Sequence, residues 1–490
     1  MPYRNAHCGK FHNNWRKNGS FAATVEMKLK FQPRMKAKYE MDMCNGPLLG
    51  KIIRFAIPLM LSGMLQVLFN AADIIVVGRF AGPTALAAVG STGAMTNLIV
   101  NLFIGLSIGT NVLVAKYYGG QKMKDLSDTV HTSILASLVF GAVLAVIGIV
   151  FAKPLLLLMG NPGDVIDQAA LYMKIYFAGM PFLMLYNFGA AVLRAIGDTK
   201  RPLYFLTFAG VLNVLINLLL VIVFNMGVAG VAIATIFAQA VSAVLVLICL
   251  IKANGPYQVH LKELRMDGKK LWEMAKIGMP AGMQGMIFSM SNVLIQSSIN
   301  SFGSTVMAGN TAAGNIEAVV YCGMNAFYQS CLSFCGQNLG AKKYSRIRRV
   351  NALSVACVAV VGIILGGAAY LFANGLLGIY SSDPEVIAIG KLRMLYLCVP
   401  YFICGVMDTL VGTLRGIGKS VAPMLTSVIG VCGIRVVWIF TVFQWHRDLP
   451  TLYISYIVSW AVTALCHYLV MRKIFKKFPA DGEEIILAKK

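Results

Sequence analysis

LRAIGDTKRP, residues 193–202, returns as LRGIGKSVAP at residues 414–423, with Leu, Arg, Ile, Gly and Pro in register. Further pairs fall at nearly the same offset of about 221 residues: Pro58 with Pro280, Gly63 with Gly285, Asn70 with Asn292, Gly119 with Gly340 and Val165 with Val386. The chain of 490 residues therefore reads as two copies of one unit, and the character of that unit decides the fold.

Each copy is built for lipid. Of all residues 58% are hydrophobic and 13% charged, with a mean hydropathy of +0.70, far from the values of a water-soluble domain. Apolar runs of roughly 20 or more residues, long enough to cross a bilayer as helices, recur about twelve times. They lie near 48–77, 84–117, 127–152, 166–194, 202–224, 229–252, 272–301, 304–336, 347–373, 384–414, 420–443 and 450–471. A membrane β-barrel would show alternating segments of about ten residues, whereas these runs are continuously apolar. The expected fold is all-α and integral to the membrane: twelve helices in two pseudo-symmetric six-helix lobes around a central cleft. Both copies hold an even number of spans, so both insert with the same orientation, related by an axis along the membrane normal.

The expected segments are a polar, basic tail over 1–45, an N-terminal lobe over 46–252, a linker over 253–271, a C-terminal lobe over 272–473 and a tail over 474–490. The first tail lacks the apolar core of a secretory signal. Its composition suggests a segment foreign to the natural protein, with translation beginning at Met35 or Met41. The linker belongs to the stretch ANGPYQVHLKELRMDGKKLWEMAK, residues 253–276, in which turn residues give way to an amphipathic run.

A net charge of +23 raises nucleic acid as a partner, but no aromatic-basic recognition motif accompanies it. The basic residues fall instead in alternate connections and the C-terminal tail, Lys122, Lys200, Lys262, Arg346, Arg415 and Arg472 among them. The positive-inside rule then puts both termini in the cytoplasm, as twelve spans of a cell inner (plasma) membrane require. Eleven cysteines without a CxxC pattern argue against a disulfide framework. Cys331 and Cys335 share a helix face, yet lack companions for a metal, and packing is the expected role.

The span IPLMLSGMLQVLFNAADIIVVGRFAG, the repeated loop LRAIGDTKRP, GVAGVAIAT at 227–235 and MNAFYQSCLSFCGQNLGAKKYSRI resemble the multidrug and toxic compound extrusion (MATE) family of secondary transporters, from about Gly46 to about Lys477. The bacterial branch that keeps its membrane acid in the N-terminal lobe is the most similar. The resemblance implies efflux of organic cations or other amphipathic small molecules by antiport with protons or sodium, through alternating access, by a monomer without a cofactor. It also puts the family's first-span acid on Asp73, with a glutamine seven before it and a proline fifteen before it, here Gln66 and Pro58. Bending of the first helix at Pro58 on protonation is implied in the same way, and a static kink is the alternative. One departure concerns the fifth span, where members with a second N-lobe acid carry it and this chain has Asn217, which takes up no proton.

The residues support coupling on their own terms. Gln66, Asn70 and Asp73 share one face of the first helix, Asn213 and Asn217 form a second polar face in the fifth, and Thr235 adds a hydroxyl in the sixth. A charged carboxylate in hydrocarbon costs several kcal/mol, so Asp73 should hold a proton or keep a cation beside it. A purely structural role, capping a helix end or reaching the outer interface near Arg79, stays open. In the C-terminal lobe Glu317, Asp408 and Arg435 are the costly residues. An ion pair of Arg435 with Glu317 or Asp408 is expected, and recognition of a cationic substrate by one of the acids is the alternative. The stretch IGMPAGMQGMIFSMSNVLIQSSI of the seventh span contains no acid, which weighs against a C-lobe sodium site. Met283, Met286, Met290, Met307, Met324, Phe288, Phe327 and Tyr328 would suit a cleft for apolar cations, and His131 and His467 should be packed.

Two other transporter readings compete. A major facilitator would carry Asp-Arg in the loop KYYGGQKMKDLSD, and it does not. A flippase for lipid-linked oligosaccharides or cell-wall precursors would need several cations in the cleft, where Arg435 is the one plain intramembrane cation. HExxH and P-loop motifs are absent, so no enzyme is indicated. A passive channel fits two repeated lobes poorly.

Overall fold

A glycine with a left-handed backbone separates the first two helices of each half: Gly82 at φ 88° and, at the repeat offset, Gly303 at φ 97°. Glycine, with no Cβ, adopts such a conformation at little cost, whereas other residues are strained in it. The repeated LRxIG motif has the same explanation, because Gly197 (φ 98°) and Gly418 (φ 80°) end their helices in left-handed turns. In both, the amide two positions after the isoleucine returns to the leucine carbonyl, Asp198 to Leu193 at 2.9 Å and Lys419 to Leu414 at 2.9 Å. The sequence repeat is thus a repeat of backbone geometry.

The computed structural model describes residues 39–158 and 163–483, and from Met41 the described chain belongs to one unit. The expectations about the origin of the first tail and a start at Met35 lie outside the described residues. Twelve helical passes follow: α1 (Leu48–Ala81), α2 (Pro83–Gly119), α3 (Met123–Leu158), α4 (Gly163–Ala178 and Met180–Ala195, bent by 46°), α5 (Lys200–Val223), α6 (Gly227–Ile251), α7 (Gly268–Asn300), α8 (Ser304–Gly340), α9 (Tyr344–Leu371), α10 (Pro384–Gly416), α11 (Val421–Trp445) and α12 (Leu449–Phe475). Helices are the form in which a chain in hydrocarbon satisfies its own backbone. Among the described residues nine are long and apolar enough to cross a membrane, ten with the bent α4. The two that fall short, α7 and α8, are those whose polar faces line the cavity described below.

The first lobe meets the second through α2 and α7, whose backbones touch. Gly105 and Gly109 lie against Gly278 and Gly282, where a methyl group at Gly282 would collide with Leu102 O and one at Gly109 with Met274 O. Small residues four apart allow this approach. Further along, Gly119 abuts Gln337 O and Gly340 abuts Lys116 O, again a symmetric pair. Hydrogen bonds close the same end: Gln337 Nε2 to Ala195 O at 2.7 Å, Asn111 Nδ2 to Ala191 O at 3.1 Å and Ser333 Oγ to Asn111 Oδ1 at 3.2 Å. This is the end that carries the basic connections, and residues 41–45 are laid across it, with Met43 O accepting from Asn338 and Arg346. At the edge of the interface α1 packs on α8, where the rings of Phe55 and Phe334 meet edge to face at 5.5 Å.

The linker is pinned. Tyr257 and Val259 are buried, and His260 N donates to His131 Nε2 at 3.0 Å. The first turn of α7 begins at Gly268, ahead of residue 272, capped by the Asp267 side chain accepting from Lys269 N and Lys270 N. Cys331 and Cys335 are fully buried in the C-lobe core. His467 is buried against Ser427 at 3.0 Å.

Candidate ion-coupling site and central cavity

Asp73 lies half-buried on α1, just before the helix widens into a π-helical turn over Val77–Ala81. Its Oδ1 accepts from Asn217 Nδ2 on α5 at 2.8 Å. Asn217 and its neighbour one turn earlier, Asn213, are buried, and the amide oxygen of each has no hydrogen-bond partner among the described residues. Thr235 on α6 stands within hydrogen-bonding reach of the acid, while its own hydroxyl hydrogen goes to Val231 O at 2.9 Å. A hydroxyl has one hydrogen and two lone pairs, so Thr235 is left able to accept from a protonated Asp73. The unmet amide oxygens would equally serve as hard ligands for a small cation. Three helices thus bring Asn217 and Thr235 to Asp73, with Asn213 one turn before Asn217 on α5. Gln66 and Asn70 stay exposed on α1 and make no hydrogen bond among the described residues. Pro58 sits buried inside a helix that runs without interruption through it, with Ser62 Oγ donating to Pro58 O at 2.8 Å.

The C-lobe charges pair differently from the sequence expectation. Glu317 is held by Arg393, Nε and Nη2 each at 2.8 Å from a carboxylate oxygen, and Arg393 Nη1 donates to Asn310 Oδ1 at 2.9 Å. This bidentate geometry engages both oxygens of the acid, and Arg435 takes other partners. Asp408 accepts from Tyr321 OH at 3.0 Å. Arg435 instead stacks 4.1 Å above the Tyr456 ring, lies 5.8 Å from that of Trp460, and donates Nε to Ser459 Oγ at 3.1 Å. Aromatic faces here do the work expected of a carboxylate.

These groups line a cavity of about 620 Å³ between α2 and the helices α7, α8, α10, α11 and α12. Its lining runs along α7 from Gln284 past Asn292 to Gln296, away from the basic end where the lobes meet at the glycine contacts. Sequence reasoning missed two of its arginines. Arg393 went unnoticed, and Arg415, assigned to a basic connection, is buried in the last turn of α10 with Nη1 on Tyr328 OH at 2.7 Å and Nη2 on Gln284 Oε1 at 2.8 Å. The signal for Arg415 was present: its place in the LRxIG repeat, matched by Arg194, is a structural coincidence that topology alone does not demand. Of the expected cleft residues Phe288 and Tyr328 line the cavity. Met324 and Phe327 are buried in the C-lobe core, and Met283, Met290 and Met307 are exposed away from it, because the inward face of α7 is taken by Gln284, Gly285 and Asn292.

The MatE family profile matches the chain twice, over residues 58–219 and 280–441, once in each lobe. The chain is 27% identical over 431 residues to the Probable multidrug resistance protein YoeA of Bacillus subtilis, covering 86% of this chain and 93% of that protein. It is 28% identical over 402 residues to the Probable multidrug resistance protein YpnP of the same organism, covering 80% and 88%. A solved outward-facing conformation of a multidrug resistance MATE family transporter superposes with a TM-score of 0.84 at 20% identity, covering 90% of this chain and 99% of that one. The chain belongs to the MatE family, the multidrug and toxic compound extrusion transporters.

Proposed function

We propose that this efflux transporter of the MatE family works as an antiporter, exporting amphipathic small molecules while protons or sodium ions enter through the site at Asp73. The observation that carries the reading is the contact of half-buried Asp73 with Asn217, whose own amide oxygen is unmet, with Thr235 in hydrogen-bonding reach of the acid. Ionised and empty, Asp73 would carry a charge that costs about 2.5–3.5 kcal/mol at the centre of a bilayer. Neutralising it from the outside and releasing the ion to the cytoplasm links its occupancy to the two access states. Gln66 and Asn70 serve on this reading as polar steps on the path to the acid, and Pro58 as the place where α1 can bend. Glu317 and Asp408 are structural partners of Arg393 and Tyr321, and Arg435 belongs to the substrate cavity.

The protein then sits as a monomer in the inner (plasma) membrane with the basic end and both termini cytoplasmic, two lobes (46–252 and 272–473) rocking about the cavity, and needs no cofactor besides the coupling ion. The kinship to proteins named for multidrug resistance favours soluble drug-like substrates over the lipid-linked precursors of a flippase. Efflux of a fluorescent substrate from proteoliposomes under separately imposed proton and sodium gradients tests the reading. Acceleration by one inward gradient is expected, and efflux indifferent to both would refute antiport.

A further inference from the structure

Two guanidinium groups in the cavity have only neutral hydrogen-bond partners, although the Asp408 carboxylate acts on Arg415 at longer range. Arg415 is 4% exposed, bonds Tyr328 and Gln284, and keeps a buried Nε with no hydrogen-bond partner among the described residues. Arg435 is 5% exposed, gives Nε to Ser459, and its two terminal nitrogens find no acceptor among the described residues. Arginine does not shed its proton inside a protein, so both charges persist. A buried cation whose hydrogen bonds go only to neutral groups is undercompensated, and an entering oxyanion would meet donors already in place.

The remaining charges do not cancel them. Glu317 is consumed by Arg393, leaving Asp408, on the hydroxyl of Tyr321, as the lone acid among the described residues against two arginines on the cavity wall. A cationic drug entering here meets a surplus of like charge, an arrangement that rejects it. Beside Arg435 stands an aromatic shelf: Tyr401 stacks on Trp460 at 5.2 Å and 29°, and Tyr456 meets the same indole edge-on at 5.7 Å. The volume of about 620 Å³ suits a drug-sized molecule.

We propose that the cavity holds an anion-binding subsite made by Arg415 and Arg435, and that the cargo is an aromatic organic anion whose carboxylate or phosphate group lies on these arginines with its ring against the Tyr401–Trp460 shelf. This narrows the efflux reading given above, on which it rests, and replaces the organic cations expected from the sequence. The occupant is a soluble molecule rather than a lipid headgroup, because the polar donors and the ring shelf line the interior of the cavity together.

Two xanthene dyes that differ in charge test it by fluorescence polarisation on the purified full-length protein in detergent: carboxyfluorescein, an anion, and rhodamine 6G, a cation. The protein is expected to bind carboxyfluorescein the more tightly, and Arg415→Gln and Arg435→Gln each to weaken that binding about tenfold. Arg435→Lys, which keeps the charge and loses the fork, should fall between. Tighter binding of rhodamine 6G, or carboxyfluorescein affinity untouched by both glutamine variants, overturns the proposal. If a glutamine variant fails to run as a single species on gel filtration, the comparison of the two dyes on the unmutated protein decides. Dioleoyl phosphatidic acid added to the micelles should not displace carboxyfluorescein, and displacement at equimolar amounts would assign the arginines to a lipid headgroup and overturn the soluble-anion reading. Binding in detergent needs no gradient, so a failure of gradient-driven efflux would refute antiport and leave the answer about the anion subsite intact.

Discussion

Asn217 donates from α5 to Asp73 on α1, Nδ2 to Oδ1 at 2.8 Å, so the acid of the first helix is held by a residue 144 positions away. A hydrogen bond to a charged group contributes about 1.5–3 kcal/mol. Asn217→Ala is therefore expected to slow gradient-driven efflux from proteoliposomes by about tenfold or more, with dye binding in detergent unchanged. An unchanged initial rate would show that the amide plays no part in coupling.

Glu317 and Arg393 should behave as one unit. Glu317→Gln leaves the guanidinium buried without its counter-charge, a loss of about 3–5 kcal/mol by comparison with other broken buried pairs. A marked fall in thermal unfolding temperature is expected for Glu317→Gln, and Glu317→Gln combined with Arg393→Met should recover most of it, since removing both partners removes the stranded charge. Additive losses in the double variant would mean that the bidentate contact contributes no pairwise stability.

The glycine face between α2 and α7 should set the balance of access states. A side chain at Gly282 collides with the Leu102 carbonyl, so Gly282→Val has to separate the lobes at the basic end. Spin labels at Lys122 and Arg349, exposed on the basic ends of the two lobes, are expected to report longer distances by pulsed electron paramagnetic resonance in Gly282→Val than without it. A distance distribution unaltered by the substitution would show that this contact does not hold the basic ends of the lobes together.

Much of the architecture was legible because its signals are local. Runs long enough to cross a bilayer give the passes, and the repeated LRxIG marks left-handed glycine turns at Gly197 and Gly418 that any copy of the unit must contain. The cluster around Asp73 was legible too, since an acid and amides in otherwise apolar helices have few places to go. Spacing along one helix was a poorer guide than pairing between helices: Gln66 and Asn70 share the face of Asp73 and remain exposed, while Asn217 reaches it. Hidden from the sequence were contacts that depend on how distant helices meet. Arg393 claims Glu317 across a sequence separation of 76, and aromatic rings replace a carboxylate beside Arg435. Arg415 was misplaced because a basic residue near a loop reads as topology, whereas the last turn of α10 carries it on the cavity wall.

The most direct test replaces the acid itself. Proteoliposomes carrying Asp73→Asn, reconstituted at the same level as the unmutated protein, are given inward proton and sodium gradients in turn while dye efflux is recorded. The unmutated protein is expected to respond to one of them and Asp73→Asn to neither, because an amide takes up no proton and offers a cation no charge. Gradient-driven efflux by Asp73→Asn at the unmutated rate would contradict coupling through this residue.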